Sequence, residues 1–313
     1  RLIASLRAKG FELTKEGTFS EFLGIKFETD QETGRIHLSQ KGLIAKIIET
    51  TGMKDCNPNW TPAAQVALDK DEDGEPMQEA WNYPSVVGML LYLTMNTRPD
   101  IQFAVSQVAR FNHNPKRSHA AAVKTIIRYL KRTENMGMYV DPNPDDLHLT
   151  VYCDADFAGL YGRGPERDET TAKSRTGYIV KLGGLPLIWR SQLQTAIALS
   201  TLEAEYQALS DCLRTVIHTK AMLTEVVNGV GVPGDVSASI GCTVFEDNNG
   251  ALLLANQQRV TSRTKYFFVK WHHFWHHIRH GDIKVVKCAT EDQQADYLTK
   301  GLVRELFEKL RKL

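Results

Sequence analysis

Hydrophobic and polar positions follow two different periods in the first 140 residues. Residues 19–40 hold two strand-like runs around a turn that ends at Gly34, which predicts a β-hairpin. Apolar residues then recur at helical spacing over 41–51 and stop at Gly52, which predicts a helix. Residues 83–130 show the same helical spacing in three segments. We therefore expect a mainly α-helical unit with one hairpin.

Two polar segments interrupt these patterns. Residues 55–77 have no periodicity and predict an exposed linker. Residues 141–146, DPNPDD, combine prolines with acidic and turn-forming residues, which makes them the best domain boundary in the chain.

The second half predicts strands followed by helices. Residues 148–158 alternate as a strand should, with Tyr152 and Asp154 on one face. Later segments predict further elements in this order: strands at 176–184 and 195–200, a helix from Ser200 or Thr201, a strand ending near Phe245, a helix at 248–257, a histidine-rich helix near 266–280, a strand at 283–289 and a terminal helix from about Glu291. This order predicts an α/β layered fold with a mixed sheet.

Composition narrows the function only slightly. A formal net charge of +1 and a pI near 7.8 give no overall basic field, so any nucleic-acid binding must use local patches. The five cysteines show no CxxC or other metal spacing, which is typical of thiols in a reducing compartment. No apolar run approaches the roughly 20 residues that a membrane-spanning helix needs.

Four acidic residues, Asp154, Glu205, Asp247 and Asp296, each lie where a predicted strand or helix begins or ends. A fold could gather them at one point, where their charges would repel unless a cation neutralised them. A pair of divalent cations would do so, which favours metal-assisted phosphodiester chemistry.

Each assignment has a plainer alternative. Asp247 could cap the following helix. Some of the acids could instead be ordinary charges in the first turn of a helix, where the helix dipole stabilises them. Three of the four proposed metal ligands also have a competing acid nearby in the sequence. Asp156 competes with Asp154, Glu203 with Glu205, and Glu291 and Asp292 with Asp296.

The motifs YCDADFAG, SRTGYIV, LSTLEAEYQALS, EDNNGALLLA, SRTK and ADYLTKGL resemble, in order, the ribonuclease H domain of copia-type retrotransposon Pol polyproteins. Upstream, FLGIKF, LSQKGLIAKIIETTGM, YPSVVGMLLYLTMNTRPDIQFAVS and AAVKTIIRYLKRT resemble the segment that links the reverse transcriptase to that domain. No YxDD-like polymerase motif occurs in the sequence, so the resemblance implies no polymerase active site here.

The resemblance implies a domain order and a ribonuclease H-like fold. Residues 1–30 would be a remnant of the reverse transcriptase palm edge, 31–140 a thumb or connection region, 141–147 a linker and 148–313 the ribonuclease H domain.

The resemblance also implies a reaction. The enzyme would cleave the RNA strand of RNA/DNA hybrids by two-metal-ion hydrolysis, with Asp154, Glu205, Asp247 and Asp296 as catalytic metal ligands and Mg²⁺, or Mn²⁺ as a substitute, as the metal. Its partners would be the hybrid and the palm, fingers and integrase of the same polyprotein, without a membrane. The expected location is a cytoplasmic virus-like particle, with the nucleus as the alternative.

Two other functions stay open. An integrase-type nuclease would share the layered fold but requires a different pattern of three acids. A repurposed, inactive fragment would bind a hybrid, or the rest of a polymerase, without cutting.

Basic residues and histidines give weaker signals. Arg175, Arg263 and Lys265 are predicted to flank the site in loops and hold phosphates. The run WHHFWHHIRH places histidines four apart, which permits a Zn²⁺ site, although an apolar stripe with solvated histidines is the more favoured interpretation. Tyr266 and Phe268 replace the His and Asp of the family pattern, which puts any histidine-assisted role there in doubt.

Overall fold

The computed structural model describes residues 2–12, 20–141, 147–162, 169–230, 240–257 and 272–312. These residues form two units, each built on its own β-sheet. The strands are β1 Glu21–Phe22, β2 Ile25–Thr29, β3 Ile36–Ser39, β4 Met138–Val140, β5 His148–Asp156, β6 Arg175–Leu182, β7 Leu185–Leu193, β8 Gly241–Glu246 and β9 Lys284–Lys287.

The first unit confirms the predicted hairpin and extends it. β2 pairs antiparallel with β3, and Gly34 adopts a φ of +72° in the turn between them. β1 and β4 add the two edges, so β4 carries the chain back to the unit before the boundary segment begins. The expected division at residue 30 passes between two paired strands of this hairpin.

Helices of the first unit follow the sequence pattern closely. They are α1 Leu2–Ala8, α2 Lys41–Thr50, α3 Tyr83–Asn96, α4 Gln102–Ala109 and α5 Arg117–Arg132. α3 begins where Asn82 accepts a hydrogen bond from the Ser85 amide and Pro84 occupies the first turn. The helices bury one apolar cluster that includes Ile47 and Leu90.

A buried ionic cluster lies inside this helical unit. Arg98 donates two hydrogen bonds to the carboxylate of Asp100, at 2.9 and 2.8 Å, and both side chains are almost fully buried. Arg98 also donates to the backbone and hydroxyl oxygens of Thr133. Tyr129 donates to Asp100 and accepts from Arg311, so every charged group in this cluster has a partner.

The second unit is a five-stranded sheet in the order β7-β6-β5-β8-β9. β5, β6 and β7 form an antiparallel meander, whereas β8 runs parallel to β5 and β9 runs parallel to β8. The described helices of this unit are α6 Thr201–Val230, α7 Asn249–Gln257, α8 Trp275–Arg279, α9 Asp296–Thr299 and α10 Arg304–Leu310. This confirms the predicted layered fold with a mixed sheet and flanking helices.

Two details of the predicted second unit are wrong, and a third falls partly outside the described residues. The third strand is β7, which begins directly after the Gly183-Gly184 turn, because a two-residue turn returns the chain to its partner at once; residues 195–200 lie outside the sheet. Where residues 266–280 are described, only the five residues of α8 are helical. The single terminal helix is instead a 3-10 turn followed by α9 and α10.

The apolar core of the helical unit extends across the predicted domain boundary. It includes Tyr297 and Leu298 of α9 and Phe307 of α10, although these residues follow the five-stranded sheet in the chain. Trp189 of β7 donates a hydrogen bond from its indole nitrogen to the backbone oxygen of Thr94, at 2.8 Å. The last two helices therefore belong to the packing of both units.

Within the described ranges, no helix is both long and apolar enough to cross a membrane. All five cysteines are free thiols, and Cys153, Cys212 and Cys242 are buried.

Candidate metal centre

Three of the four predicted acids meet at one point. Asp154 lies near the end of β5, Glu205 in the second turn of α6 and Asp247 directly after β8. One carboxylate oxygen from each lies within 4.8 Å of the others, and no other such group of His, Cys, Asp or Glu side chains occurs among the described residues. Parallel pairing of β5 with β8 brings Asp154 and Asp247 to the same end of the sheet, because the two acids follow the paired residues Tyr152 and Phe245.

Hydrogen bonds fix the first two carboxylates. Glu205 accepts from the amide of Ala155, at 2.8 Å, which ties the first turns of α6 to β5. Asp154 accepts from the hydroxyl of Thr299, at the end of α9. Both carboxylates are about 95% buried or more. This arrangement presents preorganised oxygen ligands, which hard divalent cations prefer.

Asp296 lies beside the three but is held by a cation from the chain itself. It is the first residue of α9, not a residue one turn into a longer helix as the sequence pattern predicted. The ammonium group of Lys300 lies 3.0 Å from Oδ1 of Asp296 and 3.9 Å from Oδ2 of Asp154.

Within the described part of the chain, the centre holds more acidic than basic side chains. Burial, reinforced by Asp154, raises the pKa of Glu205 to about 11 and that of Asp296 to about 7. Burial and Asp154 also raise the pKa of Asp247. Burial alone would lower the pKa of Lys300, but the neighbouring Asp154 and Asp296 raise it. One ammonium group therefore faces more carboxyl groups than it can neutralise.

Sequence reasoning missed a fifth carboxyl group beneath the centre. Glu246 is fully buried at the end of β8, accepts a hydrogen bond from the amide of Asn248 and lies 3.5 Å from the thiol of Cys153. Burial raises its pKa well above the ordinary value. Strand alternation could have indicated it, because β8 alternates between half-buried and buried positions and Glu246 falls on a buried one.

Two further side chains support the site and were also missed. Gln293 is fully buried and donates a hydrogen bond to the backbone oxygen of Cys153 at 2.9 Å, which fixes the segment before α9 onto β5. Lys300 belongs to the motif ADYLTKGL, and its spacing of four residues from Asp296 places both on one side of a helix.

The competing acids have other roles in the structure. Glu203 accepts from the amide of Leu199 while Ser200 accepts from the amide of Glu203, so both side chains stabilise the start of α6. Asn248, not Asp247, caps α7 by accepting from the amides of Gly250 and Ala251.

The other competitors do not join the three grouped carboxylates. Asp292 is exposed and pairs with Lys309 at 2.7 Å. Asp156 lies opposite Arg175 in the register of β5 and β6.

Arg175 is not where the sequence placed it. It lies in β6, not in a loop, and is 5% exposed. Its guanidinium donates to the hydroxyls of Ser106 and Ser191, and burial lowers its pKa to about 10. This position does not support a phosphate contact, because Arg175 joins α4 to β7 instead. Arg263 and Lys265 lie outside the described residues.

Of the histidine run, residues 272–280 are described. His272 stacks on Trp275, with ring centroids 3.7 Å apart, and burial lowers its pKa to about 4. The hydroxyl of Tyr206 forms a hydrogen bond with Nδ1 of His272 and accepts another from the indole nitrogen of Trp275 at 3.0 Å. His272 is therefore held against α6 by aromatic packing, and none of the described histidines joins a metal-ligand group. Tyr266 and Phe268 lie outside the described residues.

Curated sequences similar to this chain include Pol polyproteins of transposons. The Pol polyprotein of transposon TNT 1-94 from Nicotiana tabacum is 34% identical over 321 residues, covering all of this chain and 23% of the polyprotein. That of transposon RE1 from Arabidopsis thaliana is 33% identical over 287 residues, covering 92% of this chain and 18% of the polyprotein. The chain belongs to the copia-type retrotransposon Pol family.

This Pol chain spans about a fifth of the length of these polyproteins. No family model matches it. Among solved structures, LC11-RNase H1 isolated from compost is similar over 52% of this chain and 96% of the ribonuclease, at 16% sequence identity and a TM-score of 0.34. A likeness this distant says nothing about the chemistry of the Pol chain.

Proposed function

We propose that this chain is a metal-dependent ribonuclease H that cleaves the RNA strand of RNA/DNA hybrids. The observation that carries the proposal is the grouping of Asp154, Glu205 and Asp247, with Asp296 beside them, at one end of the strands of the five-stranded sheet. Membership of the Pol family supports a substrate that arises during reverse transcription.

The donor set fits divalent cations. All four side chains offer oxygen ligands, and three of their carboxylates are drawn together where, among the residues that the structure describes, Lys300 is the one cation seen to pair with the acids. Asp154, Glu205, Asp247 and Asp296 would hold two Mg²⁺ ions, with Mn²⁺ as a substitute. When bound, these ions supply activation of water and stabilisation of the leaving oxygen.

The chain's own residues prepare the site for this chemistry. Ala155 and Thr299 orient the Glu205 and Asp154 carboxylates by hydrogen bonds, and Gln293 fixes the segment that leads to Asp296. Because these side chains are already held in position, less free energy is needed to place several negative groups around a substrate phosphate. Selection of the RNA strand would rest on contacts to 2′-hydroxyl groups across the minor groove. The remaining parts of the polyprotein would be its partners.

The test is cleavage of a hybrid labelled on its RNA strand, comparing the chain with Asp247→Asn. We expect the variant to lose on the order of 100-fold or more of its activity, because it removes a metal-binding carboxylate, and a chelator to abolish cleavage. Asp292→Asn is the matched control, since Asp292 is exposed and outside the centre, and it should cut normally.

The alternative function predicts a different result. If the chain is a repurposed binding module, the unaltered protein will bind the hybrid in chelator but will not cut it with Mg²⁺ or Mn²⁺. Cutting that survives Asp247→Asn would also count against the proposal, because it would place the chemistry elsewhere.

A further inference from the structure

Lys300 shares its surroundings with the proposed metal ligands. Its ammonium group contacts Asp296 and approaches Asp154, two carboxylates that come from different parts of the fold. Asp296 does not join the group formed by Asp154, Glu205 and Asp247. The fourth carboxylate is therefore paired with the chain's own cation.

A surface ion pair would not explain this contact. Pairs of Asp and Lys four residues apart on an exposed helix contribute only about 0.3–0.5 kcal/mol. Asp154 and Asp296, however, are 3% and 2% exposed, and a buried carboxylate needs a positive partner far more than an exposed one does. The role of Lys300 is thus tied to the charge of the centre.

The backbone of Lys300 is fixed while its side chain can leave. Its amide donates to the backbone oxygen of Asp296 at 3.1 Å, closing α9. The next residue, Gly301, packs so closely on Ala64 that an added Cβ would lie 1.9 Å from the Ala64 oxygen. The Lys300 side chain is nevertheless 39% exposed, so the ammonium group has a path to solvent.

We propose that Lys300 is a built-in counter-ion that holds Asp296 and Asp154 in the metal-free protein and must move aside before Asp296 can bind a second divalent cation. This inference rests on the proposed two-cation nuclease function. The first cation would use Asp154, Glu205 and Asp247, which are already grouped. Lys300 is therefore a positioning residue that makes occupation of the second site depend on metal concentration.

The test is titration of the full chain with Mn²⁺ alone, without nucleic acid, by calorimetry and by the electron paramagnetic resonance signal of free Mn²⁺. We compare the unaltered chain with Lys300→Met, which keeps the length of the side chain but removes its charge. The dissociation constant of the weaker site should fall about tenfold, because the cation no longer competes with an ammonium group. The tighter site should change by less than about threefold.

Two variants control this experiment. Lys124→Met removes a lysine of the same exposure, 39%, that pairs with Glu79 in the helical unit, and should leave both Mn²⁺ constants unchanged. Lys300→Arg keeps the positive charge and should retain a weak second site. If Lys300→Met does not fold in chelator, Lys300→Gln is titrated in its place, and the expected tightening is the same.

Thermal unfolding in chelator gives an independent readout. Lys300→Met should melt several degrees below the unaltered chain without metal, and Mn²⁺ should restore most of the difference. Equal Mn²⁺ constants in the two proteins, or a weaker second site in Lys300→Met, would overturn the inference.

These measurements need no cleavage. A chain that binds two Mn²⁺ ions but does not cut the hybrid would contradict the nuclease proposal. The effect of Lys300→Met on Mn²⁺ binding would still test the counter-ion role separately.

Discussion

Two buried polar clusters occupy this molecule, and they differ in charge balance. The helical unit holds Asp100 with Arg98, Tyr129 and Arg311, in which one carboxylate has several donors. The metal centre holds five carboxyl groups, counting Glu246, with Lys300 as the cation seen to pair with them among the described residues.

The pKa directions follow this difference. Burial would raise the pKa of Asp100, but the Arg98 guanidinium lowers it below the ordinary value. In the metal centre, burial and neighbouring carboxylates raise the pKa of Glu205 and Asp296. A balanced buried cluster is complete within the chain, whereas an unbalanced one requires protons or cations from outside. The charge balance of a buried polar cluster thus distinguishes a structural cluster from a candidate binding site.

The largest expected effect breaks the balanced cluster. Asp100→Asn leaves the buried guanidinium of Arg98 without its anion and should lower the free energy of unfolding by about 3–5 kcal/mol, measured by urea denaturation in chelator. Asp247→Asn under the same conditions relieves repulsion and should cost less than about 0.5 kcal/mol or stabilise the chain. Similar losses in both variants would contradict the comparison.

The second prediction concerns pH in the metal-free protein. Between pH 4 and about pH 7 the unfolded chain has released the Asp296 proton while the folded chain keeps it, so stability should fall as pH rises. Asp296 contributes up to one proton, or about 1.4 kcal/mol per pH unit, to this slope in urea unfolding with chelator, and the raised pKa values of Glu205 and Glu246 make the slope steeper. Asp100 acts in the opposite direction, because its contribution is lost as pH falls through its lowered folded pKa.

Two controls sharpen the pH measurement. Asp296→Asn should make the slope near pH 6 shallower by up to about one proton, and saturating Mg²⁺ should also make it shallower in the unaltered chain, because bound cations replace protons. A slope unchanged by both would locate the proton uptake elsewhere.

Local pattern was enough to predict most elements of this fold. Helical spacing gave α2 to α5, and strand alternation placed Tyr152 and Asp154 on one face of β5. The third strand was misplaced because residues 195–200 alternate as well as β7 does, and only pairing with β6 distinguishes them. The burial of Arg175 depends on α4 packing against β7, a long-range contact that carries no local signal.

The centre itself was predictable in part. The sequence predicted that four acids converge, since each ends or begins an element, and the structure groups three of them. Glu246 and Lys300 were missed because their importance comes from charges contributed by distant segments, which one stretch of sequence does not reveal.

The third prediction tests the hydroxyl that links the balanced cluster to the last helix. Tyr129→Phe removes a hydrogen bond to the Asp100 carboxylate and another from Arg311, and should cost roughly 1.5–3 kcal/mol in urea unfolding. Tyr83→Phe is the matched control, because its buried hydroxyl donates only to the neutral backbone oxygen of Val108, at 2.9 Å. It should cost about 1 kcal/mol. Equal costs would mean that the charges around Tyr129 add nothing.

The smallest expected effect acts on α9, which joins the two clusters. Asp296 of α9 belongs to the metal centre, while the next residue, Tyr297, packs in the helical core. Gly177 of β6 lies directly under this helix, and an added Cβ would meet Thr299 at 2.6 Å and Leu298 at 2.9 Å.

Gly177→Ala should therefore push α9 away from the sheet, costing roughly 1–2 kcal/mol of stability and weakening Mn²⁺ binding by calorimetry. Gly88→Ala is the control, because its Cβ meets nothing within 4 Å and alanine favours the helix by about 1 kcal/mol. If Gly177→Ala lowers stability but leaves both Mn²⁺ constants unchanged, α9 tolerates the shift and the two clusters are independent. Coupled losses would show that packing in the helical unit sets the geometry of the metal centre.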